Sequence, residues 1–234
     1  MSVSQDHSID AFYGPGSYSL SSESVGTRYA TAAIRTFMDP SDKSDLAEAH
    51  ILQDKIKVDQ QNTGSLDLPT WDDTQVADVR NRIAEVGALA ADSSKMFGRK
   101  DQLDPVYWTL GAAMGWGGLP AEAALYGITF PSDNDGTTPY TLTVGDVPVD
   151  AFWSVTLYDA EGWIPVNDYD SYSYNSVTAH KNDHGSVVIH FGGDPTQPNF
   201  IPIVDGWNYL FRAYRPRPAL LDGTWEYPEP VPSK

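Results

Sequence analysis

The sequence predicts an α+β fold in which a layer of three or four helices precedes an antiparallel β sandwich. Two observations predict it. Up to about residue 120, apolar residues recur every three or four positions, which is typical of amphipathic helices. From about Leu125 onward, apolar and polar residues alternate between turn sequences, which is typical of strands with one buried face. We therefore place the boundary between the helical and β parts near residue 120.

The chain divides into three segments on this basis. Residues 1–25 are polar and rich in Ser and Gly, and we expect them to be flexible. Residues 26–119 are expected to form helices that pack on the sandwich. Residues 120–234 are expected to form the sandwich itself.

Four helices are expected before the boundary. The clearest begins at Asp72 or Asp73, whose side chain caps it. Its apolar stripe consists of Val76, Val79, Ile83, Val86 and Ala90. The others are expected over 26–38, 41–61 and Tyr107–Met114, with a further helix start at Pro120.

Five strands are expected after the boundary. They cover Leu125–Phe130, Tyr140–Val144, Asp150–Tyr158, Ser186–Phe191 and Trp207–Tyr214. In the third strand, Trp153, Val155 and Leu157 share one face, and the residues between them share the other. The last residues, Tyr227-Pro-Glu-Pro-Val-Pro, are expected to be extended and to stay out of the centre of a sheet, because proline lacks an N–H.

Charge and composition exclude several classes of function. The formal net charge is −17, and so acidic a protein repels phosphate, so we expect no nucleic-acid partner and no binding to anionic membranes. The chain has no cysteine, which excludes thiolate catalysis and Cys-ligated zinc. No apolar run could span a bilayer, and no signal peptide opens the sequence. The sequence as written therefore predicts a cytoplasmic location; a leader removed during maturation would imply a periplasmic or secreted protein.

The sequence identifies no reaction. It contains no Gly-x-Ser-x-Gly, P-loop or Gly-x-Gly-x-x-Gly motif, so neither a serine nucleophile nor a nucleotide cofactor is indicated. No HExxH motif occurs. His180 and His184 are four positions apart, but they lie in a predicted polar loop rather than on a helix, and we predict no metal site. Whether the protein is an enzyme, and with which cofactor, stays unknown at this point.

Two segments carry candidate ligand-binding residues. Three glycines surround Trp116, and they allow backbone to approach a bulky group closely or to adopt φ values that a Cβ forbids. Residues 167–175 alternate acids with tyrosines, and phenol faces beside carboxylates suit sugar rings. Asp168 and Asp170 are the candidate acid–base residues, and Tyr172 is a candidate ligand contact. A glycosidase would need both acids to face one bond; the alternative is a polar loop between strands.

Arg212 is a further candidate, because it lies among apolar residues of a predicted strand. An arginine in such surroundings needs partners, since burying its charge alone is costly. It is either paired structurally or it binds a carboxylate of a substrate.

Four motifs resemble one known family. They are RTFMDPSDKSDLAEAHILQDKIKV, MFGRKDQLDPVYWTLGAAMGWGGLP, DGTTPYTLTVGDVPVDAFWSVTLYDAEGW and GWNYLFRAYRPRPALLDGTWEYP. In this order, over roughly residues 28–230, they resemble the bacterial proteins that pair domains of unknown function 1254 and 1214. The C-terminal half looks like the 1214 domain, and the helical part looks like a truncated 1254-type domain. Tyr126, Tyr158 and Arg212 are among the positions that match.

The resemblance implies a jelly-roll-like sandwich and carries no established reaction. We expect a soluble protein that binds a neutral polar or cationic, carbohydrate-like small molecule in an aromatic-lined pocket. The pocket would be lined by Trp116, Tyr126, Tyr158, Tyr172 and Arg212. The alternatives are a non-catalytic carbohydrate-recognition module that binds a glycan, and a structural protein that assembles as a homo-oligomer.

Overall fold

The structure is a computed structural model. It describes residues 16–25, 29–34, 36, 38–39, 42–87, 89–90, 93–98, 103–115 and 117–233. Four helices precede the first strand in this part of the chain: α1 Ser22–Val25, α2 Lys43–Gln53, α3 Asp73–Gly87 and α4 Pro105–Met114. None of the helices in these ranges is long and apolar enough to cross a membrane.

Aspartate side chains cap the N-termini of three of these helices. Asp42, Asp72 and Asp104 each accept hydrogen bonds from the N–H groups two and three residues further on. These bonds satisfy N–H groups that have no partner inside the helix. The predicted cap at Asp72 is confirmed, and the helix predicted at Tyr107–Met114 is confirmed as α4, which starts two residues earlier.

Three helix predictions need correction. The described residues between 29 and 39 are not helical. Ile34 on the predicted stripe is 60% exposed, and a short helix without a packing partner is not stable. The helix predicted over 41–61 ends at Gln53. Pro120 begins only a turn, because the N–H of Arg215 donates to the carbonyl of Ala123 and strand pairing takes over.

Residues 117–233 form eight strands and one short helix. The elements are β1 Ala124–Thr129, β2 Tyr140–Val144, β3 Trp153–Tyr158, β4 Ser173–Asn175, β5 Val187–Phe191, β6 Phe200–Ile201, β7 Asn208–Tyr214, α5 Pro218–Leu221 and β8 Val231–Pro232. All five predicted strands are confirmed with small differences at their ends. Three short strands, β4, β6 and β8, were not predicted from the sequence.

The strands form two four-stranded sheets. The first has the order β1-β7-β3-β4 and is antiparallel throughout. The second has the order β6-β5-β2-β8, in which β5 and β6 run parallel. The proline-rich end of the chain is extended as predicted and lies at the edge of the second sheet as β8.

A shared hydrophobic core joins the two sheets. Phe191 of β5 stacks on Tyr209 of β7 with 5.2 Å between ring centroids. Trp153, Val155 and Leu157 of β3 are buried in the same core, which confirms the predicted face. The alternate side chains of β1, β3 and β7 point away from the second sheet, and we call this side of the first sheet its outer face.

Candidate functional site

Arg212 lies in the middle of the outer face. In the antiparallel register it is the partner of Tyr126 on β1 and of Ser154 on β3. The next row along the same face is Ile128, Leu210 and Thr156. Cross-strand partners point to the same side of a sheet, so these side chains form one continuous surface.

Two hydroxyl groups hold the guanidinium of Arg212. Its Nη1 donates to Thr156 Oγ1 at 3.0 Å, and its Nη2 donates to Tyr158 Oη at 2.6 Å. The guanidinium carbon also lies 5.8 Å from the centroid of the Tyr158 ring, a cation–π distance. The side chain therefore extends along the strand and is fixed over the row that contains Thr156.

Ser173 of β4 supports this arrangement from the neighbouring strand. Its Oγ lies 3.0 Å from Thr156 Oγ1 and donates to the carbonyl of Val155 at 2.9 Å. Because Thr156 accepts from Arg212 and the hydrogen of Ser173 is used on that carbonyl, Thr156 must donate to Ser173. The four side chains of Arg212, Tyr158, Thr156 and Ser173 are called the Arg212 cluster below.

The Arg212 cluster has hydrogen-bond donors that the described residues do not use. A guanidinium has five N–H groups, and only two of those on Arg212 are bonded. The hydroxyl of Tyr158 accepts from Arg212, and its own hydrogen has no acceptor within the described ranges. Three N–H groups of Arg212 and the O–H group of Tyr158 are therefore unused by the described residues at a half-buried surface.

The aromatic and apolar neighbours of Arg212 lie on both sides of it. Phe152 and Tyr214 stack with their centroids 4.4 Å apart at one end of the outer face. Leu210 is half-buried beside the arginine, and Ile128 next to it is 43% exposed. The charged group is therefore surrounded by a partly apolar surface.

Tyr126 joins the helical part to this surface. Ser93 Oγ accepts from the N–H of Tyr126 at 3.2 Å and donates to its carbonyl at 3.3 Å. The N–H of Leu119 donates to the Tyr126 hydroxyl at 3.0 Å, and Phe97 meets the ring edge to face. Tyr126 thus shares the outer face with Arg212 and also holds the chain that covers the β1 edge.

The structure brings some predicted site residues together and leaves others apart. Arg212 and Tyr158 are in direct contact, and Tyr126 shares their face. Asp168 and Asp170 lie in an exposed turn before β4, where the Tyr172 hydroxyl donates to Asp170 Oδ1 at 3.4 Å. No hydrogen bond or ion pair between described residues joins these acids to the Arg212 cluster. Trp116 lies outside the described residues.

Sequence reasoning did not select Thr156 or Ser173. Thr156 could have been selected, because it lies two positions before Tyr158 in a predicted strand. Residues two apart in a strand share a face. Ser173 could not have been selected in this way, because its role depends on the pairing of β4 with β3. Hydroxyl residues are too common in strands to mark a site by type.

A cleft of about 350 Å³ lies elsewhere, between the start of α4 and the turn before β1. It contains none of the predicted site residues. Two of its charged groups already have partners: Asp104 caps α4, and the Lys95 ammonium lies 5.3 Å from the centroid of the Tyr107 ring. Its lining is Ser94, Lys95, Phe97, Gly98, Leu103, Asp104, Pro120, Ala121 and Glu122. We therefore place the candidate site at the Arg212 cluster.

A family comparison covers strands β2 to β7 and part of β1. Residues 127–218 match a family model described as "Protein of unknown function (DUF1214)". This stretch is a DUF1214 domain. It contains all four side chains of the Arg212 cluster, so the expectation of a 1214 domain in the C-terminal half is confirmed. No curated protein matches the chain.

Two solved structures of bacterial proteins are similar to this chain. The VPA0106 protein of Vibrio parahaemolyticus is 22% identical over 91% of this chain and 61% of its own, with a TM-score of 0.54. That likeness shows a shared fold, and this chain spans less than two thirds of the Vibrio protein. An uncharacterized protein from Burkholderia cenocepacia is 18% identical over 51% of this chain and 31% of its own, with a TM-score of 0.33. That lower score carries no structural argument.

Proposed function

We propose that this protein binds a small polar molecule on the outer face of the first sheet, at the Arg212 cluster. The observation that carries the proposal is an arginine fixed by two hydroxyl groups while three of its N–H groups have no acceptor among the described residues. A guanidinium that is already ordered loses little further freedom when a ligand binds. The Tyr158 hydroxyl adds a directed donor beside it.

The proposed ligand is rich in hydrogen-bond acceptors. The acidic composition favoured a neutral polar or cationic molecule at the level of sequence. A cation placed beside Arg212 would meet like charge, so we retain polar molecules with acceptor oxygens. Acid–base roles for Asp168 and Asp170 stay a prediction, as does any contact of Tyr172 or Trp116 with the ligand.

A panel of probes from four chemical classes tests the binding function: neutral sugars, amides, amines and carboxylates. Binding is measured by chemical-shift changes and by the rise in melting temperature that a ligand of the folded state produces. At least one class should bind wild type and bind Arg212→Gln and Tyr158→Phe clearly more weakly. The matched control is Arg82→Gln, which removes the same charge from an exposed ion pair with Asp78.

Two outcomes would overturn the proposal. One is the absence of binding by every class of probe. The other is binding that persists in both Arg212→Gln and Tyr158→Phe, because the ligand would then lie elsewhere. Circular dichroism of each variant shows whether a loss of binding reflects a loss of fold.

A second candidate function is carbohydrate recognition without catalysis, and Trp163 favours it. Its side chain is 73% exposed, and the turn that presents it is held by Asp159, whose Oδ1 accepts from the Trp163 N–H at 2.8 Å. An exposed aromatic face on an ordered turn suits stacking against a sugar ring. Trp163→Ala should abolish glycan binding on an array while Arg212→Gln leaves it intact; the reverse result would exclude this candidate.

Three finer expectations stay proposals. We propose jelly-roll-type connectivity, which is supported by the alternation of β1, β2 and β3 between the two sheets. We propose that the helical part derives from a 1254-type domain, on the strength of its two sequence motifs. Assembly into a homo-oligomer is the third, and light scattering of the purified protein tests it.

A further inference from the structure

We infer that the ligand of the Arg212 cluster is a small monocarboxylic acid with an apolar body. The inference rests on the proposed binding function and narrows it to one chemical class. It is argued from the donors of Arg212 and Tyr158, from the lack of a counter-ion for Arg212 among the described residues, and from the apolar row beside the guanidinium.

Four hydrogen-bond donors of the cluster are unused among the described residues. They are three N–H groups of Arg212 and the hydroxyl hydrogen of Tyr158, within the described part of the chain. A sugar hydroxyl or an amide would bring donors of its own into this region. A carboxylate brings only acceptors, and its two oxygens match the parallel N–H groups of a guanidinium.

The position of the counter-ion is not filled by the described residues. The chain has 32 acidic residues, and two other arginines use them: Arg82 pairs with Asp78 at 3.0 Å, and Arg217 pairs with Asp150 at 2.8 Å. Both of those pairs are exposed. Arg212 is half-buried, yet its described partners are neutral hydroxyls. A buried charge is most costly where it lacks an opposite charge, so an anionic ligand gains most at this arginine.

The body of the ligand is inferred from the row of side chains under the guanidinium. Nη1 bonds to Thr156, whose partners along the row are Leu210 and then Ile128. A carboxylate held by Arg212 therefore has its carbon skeleton beside two apolar side chains. Ile128 is 43% exposed and loses water contact when such a skeleton covers it.

The net charge of the protein selects among anions. A formal charge of −17 disfavours every anion at long range, and a doubly charged phosphate more than a singly charged carboxylate. A planar monoanion thus matches the local donors, and the global charge disfavours it less than it disfavours a dianion. This is why we choose a carboxylate over a phosphate ester.

Four related probes test the inference: phenylacetate, phenylacetamide, acetate and phenyl phosphate. Binding to wild type is measured by NMR titration up to tens of millimolar. We expect phenylacetate to bind best, and phenylacetamide to bind at least about tenfold more weakly because it lacks the charge. Acetate should also bind more weakly, because it has no body to cover Ile128.

Variants of the cluster complete the test. Arg212→Lys keeps the charge and loses the two parallel donors, and it should weaken phenylacetate binding at least about tenfold. Tyr158→Phe should weaken it about tenfold through the lost hydroxyl. Arg82→Gln should leave it unchanged. Circular dichroism melts of all variants establish that each one folds.

The outcomes separate this inference from the binding function. If phenylacetamide binds as well as phenylacetate and Arg212→Gln removes both, the carboxylate inference is wrong and the binding function stands. If phenylacetate fails to bind while a neutral probe of the wider panel requires Arg212, the result is the same. If phenylacetate binds equally to wild type and Arg212→Gln, the carboxylate inference is wrong; if no other probe of the panel requires Arg212 either, the binding function is wrong as well.

Discussion

In the β sandwich, each sheet covers the apolar face of the other, whereas helices α2 and α3 leave much of their apolar stripe in solvent. Phe211 of β7 is 1% exposed, but Val79 and Val86 of α3 are 55% and 57% exposed. Within the described ranges, α3 packs mainly on α4, where Gly87 lies against Met114. An amphipathic pattern therefore favours a helix, but only a facing partner buries its apolar side and stabilises it.

The candidate site belongs to the sandwich side of this comparison. Arg212, Tyr158 and Thr156 stand on strands whose other side is the hydrophobic core. Such a platform holds side chains in fixed positions better than a loop does. Among the described residues, the helical part meets the site at its β1 edge, through Ser93, Phe97 and Leu119.

The sharpest test of the comparison replaces one apolar residue in each region. Phe211→Ala empties part of the core and should lower the free energy of unfolding by about 3–5 kcal/mol. Val86→Ala removes an exposed side chain and should change it by no more than about 0.5 kcal/mol. Urea unfolding of both variants measures the difference. If both variants lost the same free energy of unfolding, Val86 would have to be buried, and the contrast between the two regions would be wrong.

The junction between the regions should show an intermediate effect. The Phe97 ring occupies the place where a Cβ on Gly118 would stand. Gly118→Ala should therefore displace the ring and lower the free energy of unfolding by about 1–3 kcal/mol. The close approach of backbone to a bulky group, expected for this glycine-rich segment, occurs at Gly118.

Gly115→Ala is the control for that experiment. Gly115 has extended backbone with a φ of −178°, and no described residue lies within 4 Å of an added Cβ. The melting temperature of Gly115→Ala should equal that of wild type. If both alanine variants melt alike, Phe97 moves without cost and the junction is loosely packed.

A smaller effect is expected where one side chain joins the two regions. Ser93→Ala removes two hydrogen bonds to the backbone of Tyr126 and should cost about 0.5–1.5 kcal/mol. Hydrogen exchange of the Tyr126 amide should accelerate, because its N–H donates to Ser93 and loses that acceptor. The amide of Val155 inside the sheet serves as the internal reference. Unchanged exchange at Tyr126 would contradict the role assigned to Ser93.

The smallest effect is expected at Asp135, which is exposed in the turn before β2. Hydrogen bonds from the N–H groups of Thr138 and Thr137 lower the pKa of Asp135 from 3.8 to about 2. The folded state therefore holds this proton less tightly than the unfolded state. The stabilisation is complete above pH 3.8 and is lost as the pH falls through about 2.

Asp135→Asn tests this assignment, because the amide oxygen can still accept from both N–H groups without carrying charge. The variant should melt slightly below wild type at pH 7, and the two should converge near pH 2. A difference that stays constant over that range would show that the charge of Asp135 does not matter.

Much of the fold could be predicted because strands and helices differ in period. The five longer strands and the buried face of β3 followed from alternation around Trp153, and the start of α3 followed from Asp72. The short strands β4, β6 and β8 could not be predicted, since two or three residues carry no period. The helix expected over 26–38 failed among its described residues because periodicity does not state whether a partner will cover Ile34.

The candidate site was predictable in part. Arg212 was singled out by its chemistry in an apolar strand, and Tyr158 by its match to a family motif. Their contact could not be predicted, because they are 54 positions apart and meet only through the pairing of β3 with β7. Whether Asp168, Asp170 and Tyr172 take part in function stays a prediction.

The sequence by itself determined which side of each long strand is apolar and which residues carry unusual chemistry, because both are properties of local order along the chain. Only the tertiary structure decided that β7 lies between β1 and β3, and that Arg212 therefore reaches Thr156 and Tyr158. Strand neighbours are chosen by the packing of distant segments into one core, and short-range periodicity holds no information about that choice.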